Sequence, residues 1–174
     1  MTQRERRRSV FLQVNGWGQA RRIPLSGDAS TRCYLRLTGG PNHQRAMLMD
    51  ADPVTCGTQQ AFVQIAGHLT AAGFSAPRIF AADIAQGFVL LEDFGDALFA
   101  QMLAQSAAQE ATLYCAAADC LAALHQQPAA QGLAQARPAV LAQLVAPAFD
   151  WYAAKASSQN TDSAKTATVA LLEA

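Results

Sequence analysis

Two short stretches carry the residue types that chemistry needs. Leu25-Ser26-Gly27-Asp28-Ala29-Ser30-Thr31-Arg32 is a Gly/Asp/Ser turn set between two apolar runs. Successive backbone N–H groups in such a turn form an anion-binding concavity. Gly27 lets an anion approach with no side chain in the way, and the hydroxyls of Ser26, Ser30 and Thr31 add donors. Arg32 stands just beyond and can reach the same anion as a planar fork. The same residues also read as a plain hairpin turn followed by a solvated arginine. The second stretch, Gly87-Phe88-Val89-Leu90-Leu91-Glu92-Asp93-Phe94-Gly95, is an apolar strand ending in an acidic pair and a glycine. Peptide groups released where a buried strand stops can hydrogen-bond a purine edge while Leu and Val side chains cover the ring. It reads equally as a strand running into a helix capped by Asp93 or Asp96. Both can hold together.

These stretches need a frame, and the flanking pattern supplies one. Arg4 to Val14 predicts an amphipathic helix with Val10, Phe11 and Val14 on one side and arginines on the other, ended by Gly16-Trp17-Gly18. Strands follow at 20–25, 33–37 and 46–50, with Cys33, Leu35 and Leu37 on one face and Tyr34 and Arg36 on the other. Residues 38–44 form a second turn and 51–57 a loop. Thr58 to Ala72 predicts a helix striped by Phe62, Ile65, Ala66 and Leu69, stopped at Gly73. Strands at 77–81 and 88–91 make a hairpin around Gln86-Gly87. From Asp96 onward the pattern is helical only. One long helix carries Leu113, Ala117, Cys120, Leu121 and Leu124; Pro138 opens another, with Val140, Leu141, Leu144, Val145 and Phe149 inward and a kink at Pro147. Lys155 to Thr168 reads as a mobile linker, and 169–173 as the first turn of a helix cut short. Strands confined to 20–93 with helices after them indicate an α+β fold rather than alternating βαβ units.

Composition narrows the classes. At 174 residues and 51% hydrophobic the chain can bury a core, so disorder is a poor reading. No apolar run approaches the roughly 20 residues a membrane span needs, and the basic N-terminus lacks the apolar region of a secretory signal. The four cysteines, without CxxC spacing, read as reduced and mostly buried thiols of a cytoplasmic protein. Residues 1–50 hold nine arginines against three acids, +6, and the rest four basic groups against ten acids, −6. With no aromatics interleaved among the arginines, nucleic acid is not the expected partner. A nucleotide-like small anion fits better.

The order of turn, third strand, helix and strand with a hinge is that of the small lobe of a kinase. Gly16-Trp17, Leu25 to Tyr34, Met47-Leu48-Met49-Asp50-Ala51, Phe62-Val63, Ala71 to Pro77, Gln86 to Gly95 and Leu121-Ala122-Ala123-Leu124-His125 together resemble the aminoglycoside phosphotransferase superfamily. Within it they are most similar to bacterial kinases that phosphorylate the anomeric hydroxyl of N-acetylmuramate and N-acetylglucosamine in cell-wall recycling. The resemblance implies a two-lobed kinase-like fold. ATP would lie under Gly27, Asp28, Ala29, Ser30 and Thr31, with adenine at Glu92, Asp93 and Phe94. It places residues 1–95 in the nucleotide lobe, 96–154 at the start of an incomplete helical lobe, and 155–174 in a linker and truncated helix.

Two departures bear on chemistry. Kinases place a Lys on the third strand and a Glu on the next helix to position the phosphates. Here Met49 stands where the Lys would fall, and residues 58–72 hold no acid. Arg32 is the expected substitute. The histidines are His43, His68 and His125, and none is followed two residues later by Asp. No residue of this chain is therefore expected to act as general base or Mg²⁺ ligand; Mg²⁺ and the amino-sugar acceptor are expected only with the complete enzyme. The expectation is the front half of a kinase, inactive alone, and the alternative a non-catalytic module that binds nucleotide or protein.

Overall fold

The computed structural model describes residues 1–25, 31–133, 137–153 and 162–173. They fall into two compact units, 1–130 and 131–174.

The first unit is built on five antiparallel strands in the order β1-β2-β3-β5-β4. These are β1 (Arg21–Pro24), β2 (Cys33–Thr38), β3 (Ala46–Asp50), β4 (Ile79–Asp83) and β5 (Phe88–Glu92). Phe88, Val89, Leu90 and Leu91 are all buried. An unbroken apolar run of this kind belongs to a strand covered on both faces. One face packs on helix α1 (Gln3–Val14), where Phe11 and Leu12 join Leu35, Leu37, Leu48, Phe88 and Leu90. The other, carrying Met49, Ala51, Val89 and Leu91, packs on Phe62 and Val63 of α3 (Gln60–Ala71). The fold is α+β, as the distribution of strand and helix patterns implied.

The face of α1 is only partly the one its apolar residues suggested: Phe11 is buried in the core. Val10 and Val14 are exposed, and the inward stripe runs Arg4, Arg8, Phe11, Leu12 at helical spacing. The arginines turn inward because the buried Asp50 at the end of β3 receives them. Arg4 reaches Asp50 Oδ1 through Nε at 2.8 Å and Nη2 at 2.6 Å, and Arg8 Nη1 reaches Oδ2 at 3.2 Å. Part of the basic N-terminal charge is thus neutralised inside the protein rather than offered to an outside anion.

Other expectations are corrected too. The segment 51–57 contains a short helix, α2 (Pro53–Cys56), capped by Asp52. Cys33, Cys115 and Cys120 are exposed and Cys56 half-buried, so the thiols are free but not mostly core. After α4 (Phe99–Gln105), the long helix α5 (Glu110–His125) buries none of its residues. Leu113, Ala117 and Leu124 of its expected stripe are half-buried, while Cys120 and Leu121 are exposed.

In the second unit Pro138 opens α6 (Pro138–Leu144), whose buried residue is Ala142. Val140, Leu141 and Leu144 are exposed, with Val145 and Phe149 half-buried. Beyond Pro147 the chain takes a π-helical turn, Ala148–Ala153. Residues 162–168, read as linker, are helical: α7 runs Asp162–Glu173 and includes the apolar 169–172. Its alanines favour helix. The hydroxyls of Thr166 and Thr168 donate to the carbonyls of Asp162 and Ala164, satisfying themselves along the helix.

Candidate nucleotide site

The geometry follows from strand alternation. In β2, Leu35 and Leu37 point to α1, so Tyr34 and Arg36 point to the face of α3. Register sets their neighbours. Tyr34 pairs with Met49, which pairs with Val89; Arg36 pairs with Met47, which pairs with Leu91. Met49 is fully buried, and Tyr34 Oη donates to its Sδ at 3.4 Å. Met49 thus holds a core position, filled by an apolar side chain with no ion pair to make.

Two residues beyond Leu91 lies Asp93, and the guanidinium of Arg36 meets it there. Arg36 Nε is 3.0 Å from Asp93 Oδ2, an ionic contact whose N–H is not aimed at the oxygen. Nη1 and Nη2 each donate to an Asp96 carboxylate oxygen at 2.8 Å, and Nη2 also reaches the Gly95 carbonyl at 3.3 Å. The Asp93 side chain is only 2% exposed. Its Oδ1 accepts the Gly95 N–H at 2.9 Å, and Arg45 Nε stands 4.0 Å from Oδ2. The segment after β5 is wrapped around one guanidinium. Asp96 and Asp93 raise the Arg36 pKa, and Arg36 holds the Asp96 carboxyl below its usual range.

The expected site residues can now be placed. Gly27, Asp28, Ala29 and Ser30 lie outside the described residues. Thr31 is exposed, its Oγ1 3.2 Å from Cys56 Sγ. Arg32 is half-buried and close enough to Cys56 to help lower that thiol's pKa, an effect led by the hydroxyls of Thr31 and Thr55. Glu92 closes β5, and its carboxylate accepts the backbone N–H and the Nε and Nη2 donors of Arg78. Phe94 is exposed. Sequence reasoning gave Arg36 no part in holding Asp93 and Asp96. The signal available was a charged residue on the inward face of an alternating strand, opposite an acidic pair far along the chain.

Arg78 lowers the Glu92 pKa, and the Thr2 backbone N–H lowers that of Glu5 in the capping box of α1. With Asp96, three carboxyls titrate below their ordinary values of 4.5 for Glu and 3.8 for Asp. A lowered folded-state pKa gives stability that is complete above the unfolded value and lost as pH falls through the folded one. Melting temperature is therefore expected to hold steady from pH 7 to about 5 and to fall below about 4. A rise on acidification would contradict these pairings.

Residues 21–174 match the family model of the phosphotransferase enzyme family, APH. Two curated relatives are similar across most of this chain. An N-acetylmuramate/N-acetylglucosamine kinase of Caulobacter vibrioides is 39% identical over 73% of this chain and 41% of its own length. A protein of the same name from Pseudomonas aeruginosa is 38% identical over 82% of this chain and 41% of its own. The chain thus spans about two-fifths of the relatives it matches. With its five-stranded antiparallel sheet held between α1 and α3 as in a kinase-like N-terminal lobe, the chain belongs to the APH phosphotransferase enzyme family.

Proposed function

We propose that this chain is the nucleotide-binding part of an ATP-dependent phosphotransferase acting on a hydroxyl of a cell-wall amino sugar, N-acetylmuramate or N-acetylglucosamine, in the cytoplasm. The observation that carries this reading is the 38–39% identity to two kinases named for those sugars. ATP would run from the Ser26–Thr31 turn, with Arg32 on the phosphates, to the peptide groups of Glu92, Asp93 and Phe94 at the base. The lobe boundary falls near residue 95 in this reading.

The described residues fit the base end. β5 stops at Glu92, so Asp93 and Phe94 lie past the strand ladder. The carboxylates of Glu92 and Asp93 are engaged by Arg78 and Arg36, which leaves backbone, not side-chain charge, to read a purine. Metal is a different matter: among the described residues no three His, Cys, Asp or Glu side chains converge to hold one. Acceptor activation and Mg²⁺ binding belong, in this reading, to the complete enzyme.

Met49 supplies no cation, so the phosphates need another, and a guanidinium beside backbone N–H donors holds them well. Titrated with ATP, the chain is expected to bind saturably. Arg32→Ala should weaken that binding by about 1.5–3 kcal/mol, the range for hydrogen bonds to charged groups. Equal affinities would remove Arg32 from the phosphate site, and no binding by the unmodified chain would defeat the nucleotide reading.

A further inference from the structure

The Arg36 cluster does something its energetics do not explain. A carboxylate 2% exposed is costly to desolvate, and burying its ion pair adds little net stability. What the cluster does provide is shape. One side chain, anchored in the middle of β2, contacts Asp93, Gly95 and Asp96, three of the four residues that follow β5. Asp93 in turn holds the Gly95 N–H, so the turn is tied to itself as well as to the sheet. Arg45 adds a second positive charge on the outer side of Asp93. The backbone between these anchors, Asp93 and Phe94, is the stretch that would face a purine.

We propose that Arg36 is a positioning residue for nucleotide base recognition: its guanidinium fixes the peptide groups after β5 before the base arrives, without touching the nucleotide. The inference rests on the nucleotide reading above and specifies how that site is pre-organised. Fixing a loop in its bound geometry removes an ordering cost from binding, so the gain appears as affinity. It acts on the base half alone, because the phosphate half is proposed for a different segment, residues 26–32. Lysine cannot replace this arginine: its single ammonium keeps the charge for Asp93 but cannot span Asp93, Asp96 and the Gly95 carbonyl together.

The test uses the whole chain with Arg36→Lys and with Asp96→Asn, the latter cutting one arm of the clamp at an exposed carboxylate. Circular dichroism first sets a temperature at which both variants are folded. ATP, adenosine and inorganic tripolyphosphate are then titrated separately. Arg36→Lys is expected to weaken ATP and adenosine about tenfold, and Asp96→Asn about threefold, with tripolyphosphate within about twofold of the unmodified chain. A merely structural arginine would lower the melting temperature and leave the adenosine-to-tripolyphosphate ratio unchanged. Unchanged adenosine binding, or equal loss of adenosine and tripolyphosphate, overturns the clamp while ATP binding by the unmodified chain stands. Failure of the unmodified chain to bind ATP overturns the nucleotide reading and the clamp with it.

Discussion

Asp50→Ala is expected to cost the first unit about 3 kcal/mol, the lower end of the range for removing one partner of a buried ion pair. Asp50 is 8% exposed and serves two guanidinia that are 24% and 21% exposed. Without it both arginines remain against the sheet without the carboxylate that receives them. Their partial exposure, the Arg4 Nη1 bond to the Gln86 carbonyl at 2.6 Å and the Arg4 guanidinium over the Phe88 ring hold the loss at that lower end. Asp50→Asn keeps an acceptor oxygen and should lose about half as much. Urea unfolding followed by tryptophan emission measures this. Trp17 is buried among the α1-side core residues and reports that unit, whereas Trp151 is 69% exposed. A loss below about 0.5 kcal/mol, the scale of a surface substitution, would mean that the pair is not holding α1 to the sheet.

That pair also shows where sequence reading stops. Local features were legible: β3 falls at Ala46–Asp50 as its apolar run indicated, α3 stops at Gly73, and the last hairpin turns at Gln86-Gly87. Each is written in adjacent residues as periodicity or turn chemistry. The orientation of α1 is not. Phe11 and Leu12 face inward as apolar residues should, but the acid that receives Arg4 and Arg8 on the same face lies 46 and 42 positions away, while Val10 and Val14 stay exposed. The candidate site repeats the lesson over 60 positions, where Arg36 finds Asp96. The apolar run around Met49 marks a strand, but its full burial beside Tyr34 depends on cross-strand register that composition does not encode. The linker reading of 162–168 failed for a related reason. Small polar residues read as a lack of structure, but the alanines favour helix and the threonine hydroxyls are satisfied by carbonyls one turn back.

The turn that presents β5 depends on one glycine in the same way, and Gly87→Ala is expected to cost roughly 3–5 kcal/mol, in the exceptional class for a single methyl group. Gly87 has φ +70, and a Cβ built there would lie 1.8 Å from the Ala51 carbonyl oxygen and 2.9 Å from Pro53 Cδ. The obstacle is backbone. Moving it breaks the 2.9 Å bond from the Ala51 N–H to the Gly87 carbonyl, which ties the end of β3 to this turn. Phe88, next in the chain, pairs with Asp50, and Gln86 accepts from Arg4, so the strain spreads into the ion pair that seats α1. Gly73 provides the control. It also has positive φ, +84, closing α3 with bonds from its own N–H to Thr70 and from Phe74 to Leu69, but nothing lies within 4 Å of a Cβ there. Gly73→Ala should therefore cost only the left-handed penalty, about 1–2 kcal/mol. Measured side by side in urea, the two losses separate conformation from collision. If Gly87→Ala cost no more than Gly73→Ala, the close approach of this turn to Ala51 would not be a feature of the folded protein.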